Sequence, residues 1–140
     1  MLLRSPRRPP RGPGELRVGL DLVEVEQVAA AVEAHGERYL RRLFTSHERA
    51  SCTGEPEVAA RALAARFAAK EAALKVLRPE GVAPAWTDIE VLRAPGGWCT
   101  LRFTGAAAAL QKSHGLVDVA LSLTHEGGTA AAVVVGWARR

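Results

Sequence analysis

Apolar and polar residues alternate from Arg17 to Val23, placing Val18, Leu20 and Leu22 on one side of an extended chain and Asp21 on the other. That period of two predicts a strand whose acid faces away from its apolar row. The spacing then lengthens. Glu24 to His35 has helical character and stops at Gly36, and a shorter helix is expected from Glu37 to Leu43. Thr45-Ser46-His47-Glu48 has the form of a capping box, so another short helix should begin at Ser46. From Glu57 to Leu77 there is neither Gly nor Pro, and the run is rich in Ala, Leu and Arg, which predicts one long helix. At about 100° per residue, Leu63, Phe67 and Leu74 form an apolar stripe on it, with Glu71 about 40° from Phe67 and Lys75 about 40° further round.

Beyond the proline-flanked segment 79–84, period two returns in Ile89 to Leu92 and Trp98 to Phe103, joined by Ala94-Pro95-Gly96-Gly97 as a hairpin. A helix from Ala106 to Ser113, ended by Gly115, precedes a second hairpin, Val117 to Thr124 and Thr129 to Trp137, across His125-Glu126-Gly127-Gly128. Helices cluster early and antiparallel strands late. The class is α+β: an N-terminal strand and helices followed by antiparallel hairpins around a long central helix.

At 140 residues the chain suits a single domain. Its net charge of +4 resides in Arg4, Arg7, Arg8 and Arg11, within a proline-rich stretch that contains no acid. Residues 1–14 therefore read as a disordered arm. Residues 15–140 form the domain and carry 15 basic against 15 acidic residues, so no nucleic-acid groove is expected. No signal-peptide core and no membrane-spanning apolar stretch is present, which predicts a soluble cytoplasmic protein without membrane attachment. Cys52 and Cys99 fit no metal or redox spacing and read as two unpaired structural thiols.

The positive charge is written as 16 Arg and only 3 Lys, yet Lys70 and Lys75 both fall in Arg66-Phe67-Ala68-Ala69-Lys70-Glu71-Ala72-Ala73-Leu74-Lys75. A compact ammonium used twice beside one Glu suggests a site for a phosphate or a metal-bound anion. Glu71, at the edge of the expected buried face, needs a partner, either Lys75 or a metal. The same spacing also describes an ordinary i, i+4 surface pair. Asp21-Leu22-Val23-Glu24 is itself a capping-box pattern, so Asp21 is either a helix cap or a site residue. His125 is likewise either a turn residue or a ligand contact.

Three segments in this order, Gly19-Leu20-Asp21, then Phe67 to Ala72 with Lys75, then Ser122-Leu123-Thr124-His125 followed by Ala130-Ala131-Ala132-Val133, resemble the phosphopantetheinyl transferases, specifically the small holo-acyl-carrier-protein synthase group. The resemblance spans about Val18 to Val135. It implies transfer of 4'-phosphopantetheine from coenzyme A to a serine of an apo acyl carrier protein, with release of 3',5'-ADP. The carrier would come from fatty-acid or polyketide synthesis. It further implies Mg²⁺ held by Asp21 and Glu71, and catalytic roles for Asp21, Glu71 and Lys75. Cofactor contacts are implied for Arg66, Lys70, Lys75, Thr124 and His125. The proton acceptor stays open among a metal-bound water, Glu71 and Lys75. A homotrimer with active sites at subunit boundaries is also implied.

Two features depart from the family pattern. The helix after Asp21 carries Glu24, Glu26, Gln27 and Glu33 where relatives are often basic, and positive charge arrives only at Arg38, Arg41 and Arg42. Gly127-Gly128 also replaces the acid that many relatives place near the second glycine. An inactive carrier-binding or trimeric scaffold of the same fold is the alternative function.

Overall fold

The structure is a computed structural model that describes residues 14–139. The expected arm lies outside the described residues except for Gly14, which opens the first strand. In chain order the elements are β1 (Gly14–Glu24), α1 (Val25–His35), α2 (Glu37–Leu43), α3 (Ser46–Ser51), α4 (Pro56–Leu77), a 3₁₀ turn (Trp86–Asp88), β2 (Ile89–Arg93), β3 (Cys99–Phe103), α5 (Gly105–Ser113), β4 (Leu116–Glu126) and β5 (Thr129–Arg139). β1, β5 and β4 form one antiparallel sheet in that order, and β2 pairs with β3 in a second. The α+β class and the long central helix are as expected. The predicted capping box closes both ways at α3: Thr45 accepts from the Glu48 amide and the Glu48 carboxylate accepts from the Thr45 amide.

α4 lies over the sheet, with β5 beneath it, β1 on one flank and β4 on the other. Its deepest side is not the expected Leu-Phe stripe. Ala64, Ala65, Ala68, Ala69, Ala72, Ala73 and Val76 are sealed from solvent, and of the expected stripe Leu63 is buried whereas Phe67 and Leu74 are only partly so. Small side chains let the helix backbone come close to the sheet, and the larger residues fill the margins. Phe67 rests against Trp86 with ring centroids 5.1 Å apart. Closest approach falls at Gly19, where an added Cβ would stand 2.0 Å from the Ala72 carbonyl oxygen. Any side chain there would push the strand off the helix.

That approach also turns β1 over. Arg17, Gly19, Asp21 and Val23 face α4, while Leu16, Val18, Leu20 and Leu22 point outward at 58–66% exposure. The apolar row read from the sequence is real, but it does not face the core of this chain.

α3, α4 and β2 are tied by a buried polar node. The Lys70 ammonium donates to Glu48 Oε1 at 2.7 Å, to the Ile89 carbonyl at 2.6 Å and to the Trp86 carbonyl at 3.0 Å. Glu48 Oε2 accepts from the Val91 amide at 2.9 Å. Both side chains are fully buried. Burial lowers the Lys70 pKa, and the Glu48 carboxylate opposes that shift.

Candidate active site

On the β1 flank of α4 three of the expected residues meet. Lys75 Nζ donates to the Leu20 carbonyl at 2.5 Å and stands 3.4 Å from Asp21 Oδ1. The Glu71 carboxyl is pushed up from its ordinary pKa, chiefly by burial and further by the Asp21 charge, with Lys75 pulling the other way. Two carboxylates therefore share a partly sheltered space beside one ammonium. Asp21 sits within β1 and does not cap α1, whose N-cap residue is Glu24.

Among the described residues, no group of three or more His, Cys, Asp or Glu side chains could hold a metal ion. A pair of carboxylates that repel one another is instead the donor set for a hard cation completing its shell with phosphate oxygens and water. Asp21 and Glu71 thus fit Mg²⁺ and do not fit a closed zinc-type cage.

Arg66, Thr124 and His125 are brought together elsewhere. With Arg93, Cys99, Leu123, Ala62, Ala65 and Gly97 they line a cavity of about 300 Å³ on the β4 flank. At about 100° per residue, Arg66 points about 140° away from Glu71 around the helix. Arg66 is only 4% exposed and donates Nη1 to the Ala62 carbonyl at 3.2 Å, while its Nε has no partner. A buried donor left open in a cavity wall suits an anionic ligand.

Lys70, expected to contact the cofactor, is corrected by the structure. Its ammonium is fully buried and spends its donors on Glu48, Trp86 and Ile89. Arg93 and Cys99, which face one another across the β2–β3 pair, line the cavity without having been singled out for it. Arg93 is one arginine among 16, and Cys99 lies in no motif, so only the hairpin's position against α4 reveals them.

Comparison with known proteins places the chain in a family. A family model described as the 4'-phosphopantetheinyl transferase superfamily matches residues 17–134. A holo-[acyl-carrier-protein] synthase of Desulforudis audaxviator is 42% identical over 120 residues, covering 86% of this chain and 91% of the relative. One of Anaeromyxobacter dehalogenans is 46% identical over 124 residues, covering 86% and 94%. Among solved structures, the Chronobacterium ammoniagenes ACPS–CoA complex superposes with a TM-score of 0.81 at 32% identity, covering 90% of this chain and 99% of that one. The Mycobacterium tuberculosis acyl carrier protein synthase gives 0.67 at 38% identity, covering 87% and 96%.

Proposed function

The chain belongs to the 4'-phosphopantetheinyl transferase superfamily and is an enzyme of the holo-[acyl-carrier-protein] synthase type, and from that premise we propose that it moves the 4'-phosphopantetheine of coenzyme A onto a serine hydroxyl of an apo acyl carrier protein, leaving 3',5'-ADP. The observation that carries this reading is the meeting of Asp21, Glu71 and Lys75 where β1 presses against α4. Asp21 and Glu71 would hold Mg²⁺, which when bound neutralises charge on the pyrophosphate during phosphoryl transfer. Lys75 donates to Leu20 and Asp21, so it presents a fixed positive charge to the phosphates and does not serve as the base. The serine proton passes either to Glu71 or to a water on the Mg²⁺ that Asp21 and Glu71 would hold. Arg66, Thr124 and His125 hold the nucleotide in their cavity.

The two halves of this machinery lie on opposite flanks of α4 within one subunit. A homotrimer with sites at subunit boundaries brings the carboxylate flank of one chain to the arginine-histidine flank of another. The exposed Leu16, Val18, Leu20 and Leu22 row supplies an apolar surface for that assembly. Light scattering showing a trimer supports it, and a monomer at working concentration overturns it.

The carrier meets α2 through Arg38 and Arg42, which line one cavity with His35, Tyr39 and Leu43, whereas Arg41 is partly engaged by Glu37 at 3.4 Å. A carrier of fatty-acid or polyketide synthesis would dock there through an acidic surface. Arg38→Glu with Arg42→Glu should raise KM for the carrier about tenfold with little change in kcat; unchanged KM dismisses α2 as the dock. Two free cysteines fit a reducing, cytoplasmic setting, and among the described residues no helix is long and apolar enough to cross a membrane.

The deciding experiment is intact-protein mass spectrometry of apo carrier proteins incubated with this protein, coenzyme A and Mg²⁺, with and without chelator. A metal-dependent gain of one phosphopantetheine group is expected. No gain on any carrier, from folded protein that binds coenzyme A, selects the inactive scaffold.

A further inference from the structure

The protein's two cysteines occupy opposite environments. Cys52 is buried, and burial pushes its thiol up to about 11, so it stays protonated and out of reach. Cys99 is only partly buried and opens β3 directly opposite Arg93. Cross-strand partners hold their Cβ atoms about 5 Å apart, which sets the sulfur beside the Arg93 side chain. Both line the cavity that also holds Arg66 and His125. Arg66, 4% exposed and with its Nε unpartnered, adds a second guanidinium to the wall of that cavity. A reagent that is both a disulfide and an anion is therefore drawn to the one thiol that faces the cavity.

We propose that Cys99 is a thiol–disulfide exchange site, with anionic disulfides such as glutathione disulfide as its reagents, and that the adduct closes the cavity to nucleotide. The second half rests on the reading of this cavity as the nucleotide site. The Cys99 sulfur attacks one sulfur of the disulfide, whose S–S bond breaks as the Cys99–S–S–R bond forms. The departing thiolate takes up the proton that Cys99 gives up, so no other oxidant is required. A glutathionyl group bulks comparably to the cavity of about 300 Å³ and brings its own carboxylates to Arg66 and Arg93. A small thiol reverses the exchange and reopens the site.

The test uses the full reduced chain, treated with glutathione disulfide or with the cationic disulfide cystamine, and peptide mapping by mass spectrometry. One adduct at Cys99 is expected, formed about tenfold faster with the anionic reagent, slowed by the thiol-free nucleotide 3',5'-ADP and removed by dithiothreitol. Cys99→Ser should take up no adduct, and Cys52→Ser should take it up as the unmodified chain does. Modification at Cys52 in preference to Cys99, an internal Cys52–Cys99 disulfide with no adduct, or equal rates for the two reagents overturns the proposal. A Cys99 adduct whose formation 3',5'-ADP does not slow keeps the exchange site and overturns the nucleotide reading of the cavity.

Discussion

Lys70 and Lys75 lie on the same helix, within one short run around the same glutamate, and the fold sends them to opposite fates. Lys70 is fully buried against Glu48 and two carbonyls, and all its donors are used. Lys75 is 53% exposed, shares its ammonium with Leu20 and Asp21, and faces the space beside Glu71. By helix geometry the two side chains diverge by about 140°. A buried lysine whose donors are all satisfied is architecture, while an exposed one beside two carboxylates is available for chemistry. What distinguishes them is which flank of α4 each one meets.

That contrast is broken most severely at the carboxylates. Asp21→Asn and Glu71→Gln should each lower carrier modification by about a thousandfold or more while the circular dichroism spectrum is kept, since a charge facing the pyrophosphate is lost and the core is untouched. Near-normal turnover in either variant would overturn the assignment of the pair as the metal site.

At Lys70 the expected damage is to the fold. Lys70→Met leaves the Glu48 carboxylate buried without its cation and should cost about 3–5 kcal/mol in urea unfolding, with Glu48→Gln in the same chain, which removes the stranded charge and keeps an amide-accepting oxygen, restoring part of it. The matching Lys75→Met should stay within about 0.5 kcal/mol of the parent. Equal losses at the two positions would erase the distinction.

Gly19→Ala couples the two kinds of effect. A Cβ 2.0 Å from the Ala72 carbonyl must separate β1 from α4, at about 1–3 kcal/mol of stability, and the shift carries Asp21 away from Glu71. Turnover should fall by up to about a hundredfold, more than the stability loss alone explains at temperatures where the variant is folded. Unchanged kcat would show that the strand's approach does not set the site.

The smallest effect is a pH dependence. Glu71 has a raised pKa in the folded protein, so the folded state binds its proton more tightly than the unfolded chain does. Its contribution to stability is therefore fully present below the unfolded carboxyl range and is lost as pH rises through the folded value. Glu71→Gln removes that loss, and in chelator it should melt slightly higher than the parent near neutral pH and no higher in acid. A gain that persists in acid would assign the effect to packing.

The element order, the capping box at Thr45, both hairpins and the pairing of Glu71 with Lys75 on one side of a helix were legible in the chain, because each depends on residues close in sequence. The family-level resemblance rested on short segments in fixed order and agrees with the matched range 17–134. The apolar row of β1 was equally legible, but its direction was not: periodicity says that Val18, Leu20 and Leu22 share a side, and nothing in it says whether α4 or solvent covers that side. The expected Leu-Phe stripe of α4 fell short for a related reason. Hydrophobic weight favours large side chains, whereas the helix needed alanines where the sheet comes closest.

Tertiary structure alone decided that Lys70 belongs to Glu48, since its partner lies on another helix and its carbonyl acceptors follow the long helix in the chain. It also decided that Arg93 and Cys99 join Arg66 and His125, and that this cavity lies on the far flank of α4 from Asp21 and Glu71. Local sequence determines which residues share a face, because backbone geometry repeats every few residues. Which faces then meet is settled by contacts between segments far apart in the chain, and periodicity carries no information about those.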